Sequence, residues 1–518
     1  VFAILPGVGL RDPVTRSVRN AAGGLPAASK SLQRTRAHLA RVALASLVAG
    51  AVTLCATDAW ADVFGVFGAG AQDSAMAGAG AAITEDARAV HTSPAGMSFG
   101  IPSVTLGFMG AANRLVARLS PRPSGYDAPD LGSASPVIPY ANRLRARPAE
   151  AREPGVSGFT VGAVAGLGLD WLRAGVLVFI PTTGVANQST FYPDEREQYF
   201  SNTVHRPIYG ARLSSQQILF ATAARPLAWM SVAAGLRFLL ETHANTSVLI
   251  PDQADTSVQY VDLRTRVGAA AGVTGGAAAR FFDDRLRISA TFRDEVASTT
   301  RGTNEIQIRG FQNTAQFPIE QPNRYVVEFL PRQVSVGSAY ASKLGSIALD
   351  ATWSQWSRYL DDLGEHAGFH DTVSAAAGGE LVLGARTPRL RAGIGYRASP
   401  VPPQTGRTNH VDNGMWILGL GSACNIRVDG HDLEIAFFGQ LQLAVRQTTV
   451  KDDPGVYPAC EPGVASICDE VPDGSSLSGT NHAIAAAAGL QTGNPGFPGF
   501  SSGGWVAVAG LQLTWRYQ

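Results

Sequence analysis

The chain has 518 residues, with 57 Gly, 8% aromatic side chains, 16% charged side chains and a formal net charge of +1. Ordinary soluble proteins carry roughly 25% charged residues. So little charge excludes disorder by self-repulsion, near-neutral hydropathy excludes a bundle of membrane-spanning helices, and the lack of recurrent basic runs points away from nucleic acid.

The N-terminal stretch differs from the rest. Arg11, Arg16, Arg19, Lys30, Arg34, Arg36 and Arg41 face only Asp12 and Asp58, so the remainder is mildly acidic. Arg34, Arg36 and Arg41 precede the apolar run 42–56, and Ala59-Trp60-Ala61 places small residues where a signal peptidase reads. Residues 1–61 are therefore expected to be an extension plus export signal, cleaved after Ala61. A lipoprotein site at Cys55 is disfavoured by the bulky Leu54. No later stretch is apolar enough for a spanning helix.

Residues 62–99, DVFGVFGAGAQDSAMAGAGAAITEDARAVHTSPAGMSF, are dense in Gly and Ala. Such a segment cannot build a core of its own. It is expected to fold against the strands C-terminal to it, as a plug over 62–102. Its large apolar side chains Phe64, Phe67 and Met76 are candidates to line a ligand pocket or to contact a surrounding wall.

From residue 103 onward the pattern has period two. In 505–518 one parity reads Trp505, Ala507, Ala509, Leu511, Leu513, Trp515, Tyr517, and the other contains Gln512, Thr514 and Arg516. Leu433, Ile435, Phe437, Leu441 and Leu443 repeat it, as do Leu286, Ile288 and Phe292 against Arg287, Ser289, Thr291 and Arg293. Apolar alternation with aromatic ends is what lipid-facing strands require. Tight turns are expected at Asp170-Trp171, 225–227, Asp283-Asp284, 343–345, Thr387-Pro388 and 429–432. Long polar connections are expected at 119–155, 183–204, 248–256, 309–322, 361–376, 399–411 and 449–502. Short and long connections alternate, as periplasmic turns and extracellular loops do. Together they join about fourteen strands. The expected fold is an all-β membrane protein, an antiparallel transmembrane β-barrel over 103–518 with a hatch in its lumen. A sheet in lipid must close to pair its backbone, and a barrel this wide cannot fill its own lumen.

Of the four cysteines, Cys55 leaves with the signal, Cys460 and Cys468 share one loop and are expected to pair in an oxidising compartment, and Cys424 is expected free in a strand. Glu365, His366 and His370 match no zinc-hydrolase spacing and read as solvated loop residues. His91 reads as a structural hydrogen-bonding residue. Trp353 and Trp356 read as wall and interface anchors. No metal, cofactor or catalytic set is indicated.

The segment 68–97, with Ala75-Met76-Ala77-Gly78-Ala79, Glu85-Asp86-Ala87 and Ser93-Pro94-Ala95-Gly96-Met97, resembles the hatch of FadL-type outer-membrane transporters, which include long-chain fatty acid and TodX-type aromatic hydrocarbon transporters. Leu349-Asp350-Ala351-Thr352-Trp353-Ser354-Gln355-Trp356-Ser357 is similar to the family's tryptophan-containing strand. Arg391-Ala392-Gly393-Ile394-Gly395-Tyr396 with Ser399-Pro400-Val401-Pro402 is similar to its late strand and loop. The chain departs at Ser93, where the family usually has Asn, and at Gln518, where its barrels generally end on an aromatic residue.

The resemblance implies uptake of a hydrophobic small molecule, a long-chain fatty acid or an aromatic hydrocarbon, across the outer membrane of a Gram-negative bacterium. Binding, hatch movement and lateral release would succeed one another without a covalent step. Ser93, Pro94 and Ala95 would belong to the hatch, and Gly175 or Pro181 would mark a kinked third strand as the lateral gate. Outer-membrane lipid and the barrel-assembly machinery would be partners, and the protein would be a monomer. A general diffusion porin or structural barrel is the alternative.

Overall fold

The structure is a computed structural model, described here for residues 63–120, 150–152, 155–182, 206–209, 216–251, 258–308, 319–361, 364–384, 388–406, 408–428, 431–452 and 498–517. The expected signal with its cleavage after Ala61, the Cys460–Cys468 pair and most of loops 119–155 and 449–502 lie outside the described residues.

Among the described residues eighteen strands form one sheet: β1 (Ser103–Asn113), β2 (Val116–Leu119), β3 (Glu150–Arg152), β4 (Val156–Gly166), β5 (Leu172–Pro181), β6 (Gln217–Leu227), β7 (Met230–Ile250), β8 (Tyr260–Phe281), β9 (Leu286–Arg293), β10 (Val296–Ile308), β11 (Ile319–Leu330), β12 (Arg332–Ser342), β13 (Gly345–Gln355), β14 (Thr372–Val382), β15 (Arg389–Arg397), β16 (Met415–Val428), β17 (His431–Val450) and β18 (Gly499–Arg516). Four wall strands are briefly interrupted, at β1/β2, β3/β4, β9/β10 and β11/β12. Counted as continuous they make fourteen, as expected. β1 pairs with β4 on one side and β18 on the other, which closes the barrel.

Side-chain parity explains why these segments are strands of a membrane wall. Val104, Leu106 and Phe108 of β1 point outward and are exposed, while Ser103 and Thr105 are buried in the lumen. Trp505, Leu511 and Trp515 of β18 point outward; Gln512 and Thr514 are buried. In β9, Ile288 and Phe292 face out and Ser289, Thr291 and Arg293 face in. Apolar outside and polar inside is the arrangement that hydrocarbon around the barrel selects. No helix among the described residues is long and apolar enough to cross a membrane.

The short connections cluster at one end. β8 and β9 are joined through Phe282, Asp283 and Asp284, all left-handed at φ 56°, 54° and 69°. Asp284 is held by Arg287 at 2.6 Å and Arg280 at 3.2 Å. The turn expected at 225–227 lies slightly later, at Ala228-Trp229. β6 continues through Pro226 because pairing shifts register between Ala224 and Leu227, where no ladder N–H is needed. β7 runs three residues into the loop expected at 248–256; with 21 residues in β7 and 22 in β8, against the roughly 9–11 that a span requires, this hairpin keeps pairing beyond the wall.

Inside lies the hatch: α1 (Val63–Phe67), α2 (Ala71–Ala75), α3 (Ala89–Thr92) and a 3-10 helix at Pro94–Phe99. Helices of four to six residues have no independent stability. They persist because almost every residue is buried against the wall.

Candidate functional site

The hatch is held in two ways, by close packing and by hydrogen bonds to its backbone. Its seat is a patch of glycines on three neighbouring strands. A Cβ built on Gly378 of β14 would lie 2.6 Å from Met76 Cβ, one on Gly421 of β16 would lie 2.7 Å from Ala75 Cβ, and one on Gly393 of β15 would overlap the Met76 backbone. Side chains there would push the hatch inward. Met76 is thus fully buried against the wall.

The hatch carbonyls, left over by such short helices, are capped by inward-facing wall side chains. The Gln442 amide donates to Val66 O at 2.8 Å and the Gln440 amide to Ser74 O at 3.1 Å. Arg293 donates to His91 O at 2.7 Å. Ser231 Oγ donates to Ala95 O at 2.8 Å and accepts from Ser98 Oγ at 2.7 Å. In the other direction, Ala71 N donates to Gln512 Oε1 and Ala81 N to Asp350 Oδ2, both at 2.8 Å. The Ser93-Pro94-Ala95 corner is therefore bolted through the Ala95 carbonyl, while Ser93 itself is fully buried. These wall partners were not picked out from sequence. Their signal was there as the polar parity of β9, β17 and β18.

Charge secures the short-turn side. Glu85 pairs with Arg280 at 2.7 Å and Arg287 at 3.0 Å, Asp86 with Arg88 at 2.6 Å. Burial pushes the Asp86 carboxyl up, but the charge and hydrogen bonds of Arg88 outweigh it and hold it below the usual carboxylate range. Asp73 goes the other way. Burial dominates the Ala69 N–H and the charges of Arg88 and Arg293, and its carboxyl is raised. Among the described residues, Asp73 Oδ1 and Asp350 Oδ1 are both buried without a hydrogen-bond partner.

Above the hatch is a cavity of about 160 Å³. Its floor includes Phe64, Val66 and Phe67; its walls and roof include Ile208, Phe329, Trp356 and Tyr396. Phe64 meets Phe179 edge-on at 6.0 Å and His91 at 5.4 Å. Over the cavity Phe329, Trp356 and Tyr359 pack together, and Tyr359 stacks on Phe369 at 4.2 Å. Trp356 is therefore not an interface anchor: β13 ends at Gln355, and the 3-10 turn Trp356–Arg358 carries the indole inward. Ile208 arrives from the connection after β5, where residues 206–209 are buried in the lumen, Arg397 lies over the Tyr209 ring at 5.0 Å and pairs with Asp412 at 3.4 Å. His366 and His370 are exposed, and among the described residues no group of His, Cys, Asp or Glu could hold a metal ion.

The expected gate residues fall in regular wall. β5 pairs without a register shift from Arg173 to Pro181 with β4, and from Leu172 to Phe179 with β6. Gly175 faces the hatch, where an added Cβ would meet Met97 and Val90. Cys424 is free and exposed on β16.

No family profile and no curated protein sequence matches the chain. Among solved structures it is similar to a Pseudomonas aeruginosa FadL homologue, at 13% identity and TM-score 0.54 over 89% of this chain and 100% of the other. The P. putida toluene transporter TodX gives 12% identity and TM-score 0.47 over 88% and 99%. The Ralstonia pickettii toluene transporter TbuX gives 12% and 0.45 over 88% and 100%. The first of these comparisons shows that the chain has the fold of a FadL-type barrel.

Proposed function

We propose that this protein takes up hydrophobic compounds across the outer membrane of a Gram-negative bacterium. The compound binds between Phe64, Phe67 and the aromatic roof; the hatch then shifts, and the compound leaves laterally into the membrane. The observation that carries this reading is the cavity closed below by apolar hatch side chains inside a transmembrane barrel. Burial drives capture, at about 0.8 kcal/mol for each CH₂ removed from water. The mechanism needs no covalent step, and the alternative of a general diffusion porin predicts large conductance without saturable binding.

Long-chain fatty acids and aromatic hydrocarbons both suit such a lining. Cavity size favours the second reading. At about 160 Å³ it is close in volume to the ~150 Å³ site known to take one benzene ring, and below the ~300 Å³ at which sites for drug-sized ligands begin; unlike that apolar site, it is also lined by Asp73, Arg293, Asp350 and Arg397. A long acyl chain would need the hatch or the roof to move first.

The test is a Phe64→Ala/Phe67→Ala double variant, assayed for uptake of labelled toluene and oleate, with barrel assembly followed by heat-modifiable migration. Losing ring contacts worth about 1–2 kcal/mol in total is expected to lower uptake about tenfold while the barrel still assembles. Wild-type uptake of both probes by an assembled double variant would sink the reading.

A further inference from the structure

The wall is weakest well away from β5. β8 pairs with β9 from Phe281/Leu286 up to Thr274/Arg293, and the last bond is Asp294 N donating to Val273 O at 2.9 Å. Beyond it the neighbours part. β10 turns aside and pairs in parallel with β7, from Thr300/Thr242 to Ile308/Ile250. Among the described residues no ladder joins Tyr260–Gly272 of β8 to β10. The adjoining wall strand is interrupted at the same height, at Pro331 between β11 and β12.

The groups freed by this break are satisfied by side chains. Arg237 of β7 lies opposite Gly272 of β8. It reaches across that glycine to donate to Pro331 O at 3.2 Å and to Asp294 O. Arg332 pairs with the Asp294 carboxylate at 2.8 Å, and Ser298 Oγ donates to Leu240 O. Beside these polar contacts the parted strands are sealed by apolar packing: Leu239, Val296 and Leu330 are buried together, and Gly272 sits against Val296. Outside, Val273 and Phe292 are exposed to lipid. Inside, Arg293, Phe329 and Pro331 line the ligand cavity. The break lies eight residues up from Leu286. That is about 26 Å along the strand and roughly 20 Å in height once tilted, near the outer rim of an apolar band about 25 Å tall, where Arg332 with Asp294 and Arg358 with Glu295 are partly exposed.

We propose that the ligand leaves sideways here, between β8 and the β9/β10 break, and that Arg237 is the bolt across the opening. This rests on the uptake reading above. Parting β5 from a neighbour would strip backbone groups in hydrocarbon, each costing several kcal/mol. Parting β8 from Val296 breaks no ladder bond, because none is there. The exit joins the cavity to the outer leaflet once the Arg237 hydrogen bonds release and the apolar seal moves aside.

The test uses two disulfide staples in the full-length protein. Gly272→Cys with Val296→Cys closes the proposed exit; the close approach of these positions suits a bridge. Val176→Cys with Phe220→Cys, directly opposite each other, staples β5 to β6. Cells are assayed for labelled-toluene uptake before and after dithiothreitol, with bridge formation checked by mass spectrometry and toluene binding measured on purified protein. The exit staple is expected to cut uptake at least tenfold, with recovery on reduction and unchanged binding, and the β5 staple to leave uptake at wild-type level. Gly272→Phe, which fills the gap without oxidation, is expected to reproduce the loss in an assembled barrel. Full uptake through the oxidised exit staple, or loss through the β5 staple alone, overturns the exit. Failure of wild-type protein to bind or take up toluene and oleate would instead overturn the uptake reading.

Discussion

Asp73 and Asp86 sit a short way apart in the hatch and respond oppositely to pH. Asp86 is held low by Arg88, so its stabilisation of the hatch is full above the ordinary Asp pKa of about 3.9 and is lost as pH falls from there through the lowered value. Asp73 is raised by burial, so its ionised form weakens the seating at higher pH, and protonation relieves this as pH falls through the raised value. Asp73→Asn keeps an acceptor for Ala69 N, which Asp73 Oδ2 now accepts at 2.9 Å, and removes the charge. It is expected to firm the hatch at neutral pH by on the order of 1 kcal/mol. Amide hydrogen exchange over residues 69–79 is the measurement. Unchanged protection at pH 7 would go against the assignment. Both carboxylates were visible in sequence, but their opposite environments were not, since Arg88 acts on both after folding yet forms a direct ion pair only with Asp86.

At the scale of elements, the hatch depends on what the wall lacks. Gly393→Ala places a methyl in the Met76 backbone and is expected to unseat the hatch, whereas Gly110→Ala meets nothing within 4 Å and is expected to be silent. Protease cutting between residues 68 and 80 should rise several-fold in the first and not in the second. Equal cutting in both would show that the glycine seat is not what holds Met76. The strands themselves were legible because each turns one parity to a uniform apolar solvent, a local property. Turn positions were less so: Pro226 reads as a breaker, yet a register shift lets β6 carry it. Trp356 could not be assigned from sequence, because a short 3-10 turn at the end of β13 decides whether its indole meets lipid or cavity.

For the whole molecule, fourteen strands enclose more lumen than their own side chains fill, and the hatch accounts for the difference. Wild-type protein in a planar bilayer is expected to show little steady conductance. Deletion of residues 63–99 is expected to raise it at least tenfold, provided heat-modifiable migration shows the barrel assembled. Similar small conductance with and without the hatch would mean that the loops, not the plug, close the pore. A large steady wild-type conductance would favour the porin alternative.

The amino-acid sequence alone determined the barrel, its strand number, its two kinds of connection and the presence of a small-residue plug. Each of these comes from a short-range pattern: period-two polarity set by lipid on one side, turn residues, and a segment without bulk. Tertiary structure alone decided which side chains hold the plug, how large the cavity is, and where the wall is interrupted. Gln512 and Ala71 are 441 residues apart, and no local pattern selects one such polar partner over another on the same inward face. The crossing of β10 to β7 is likewise a choice between competing neighbours. There Arg237 satisfies carbonyls that the break leaves open, a contact that only the closed barrel brings within reach.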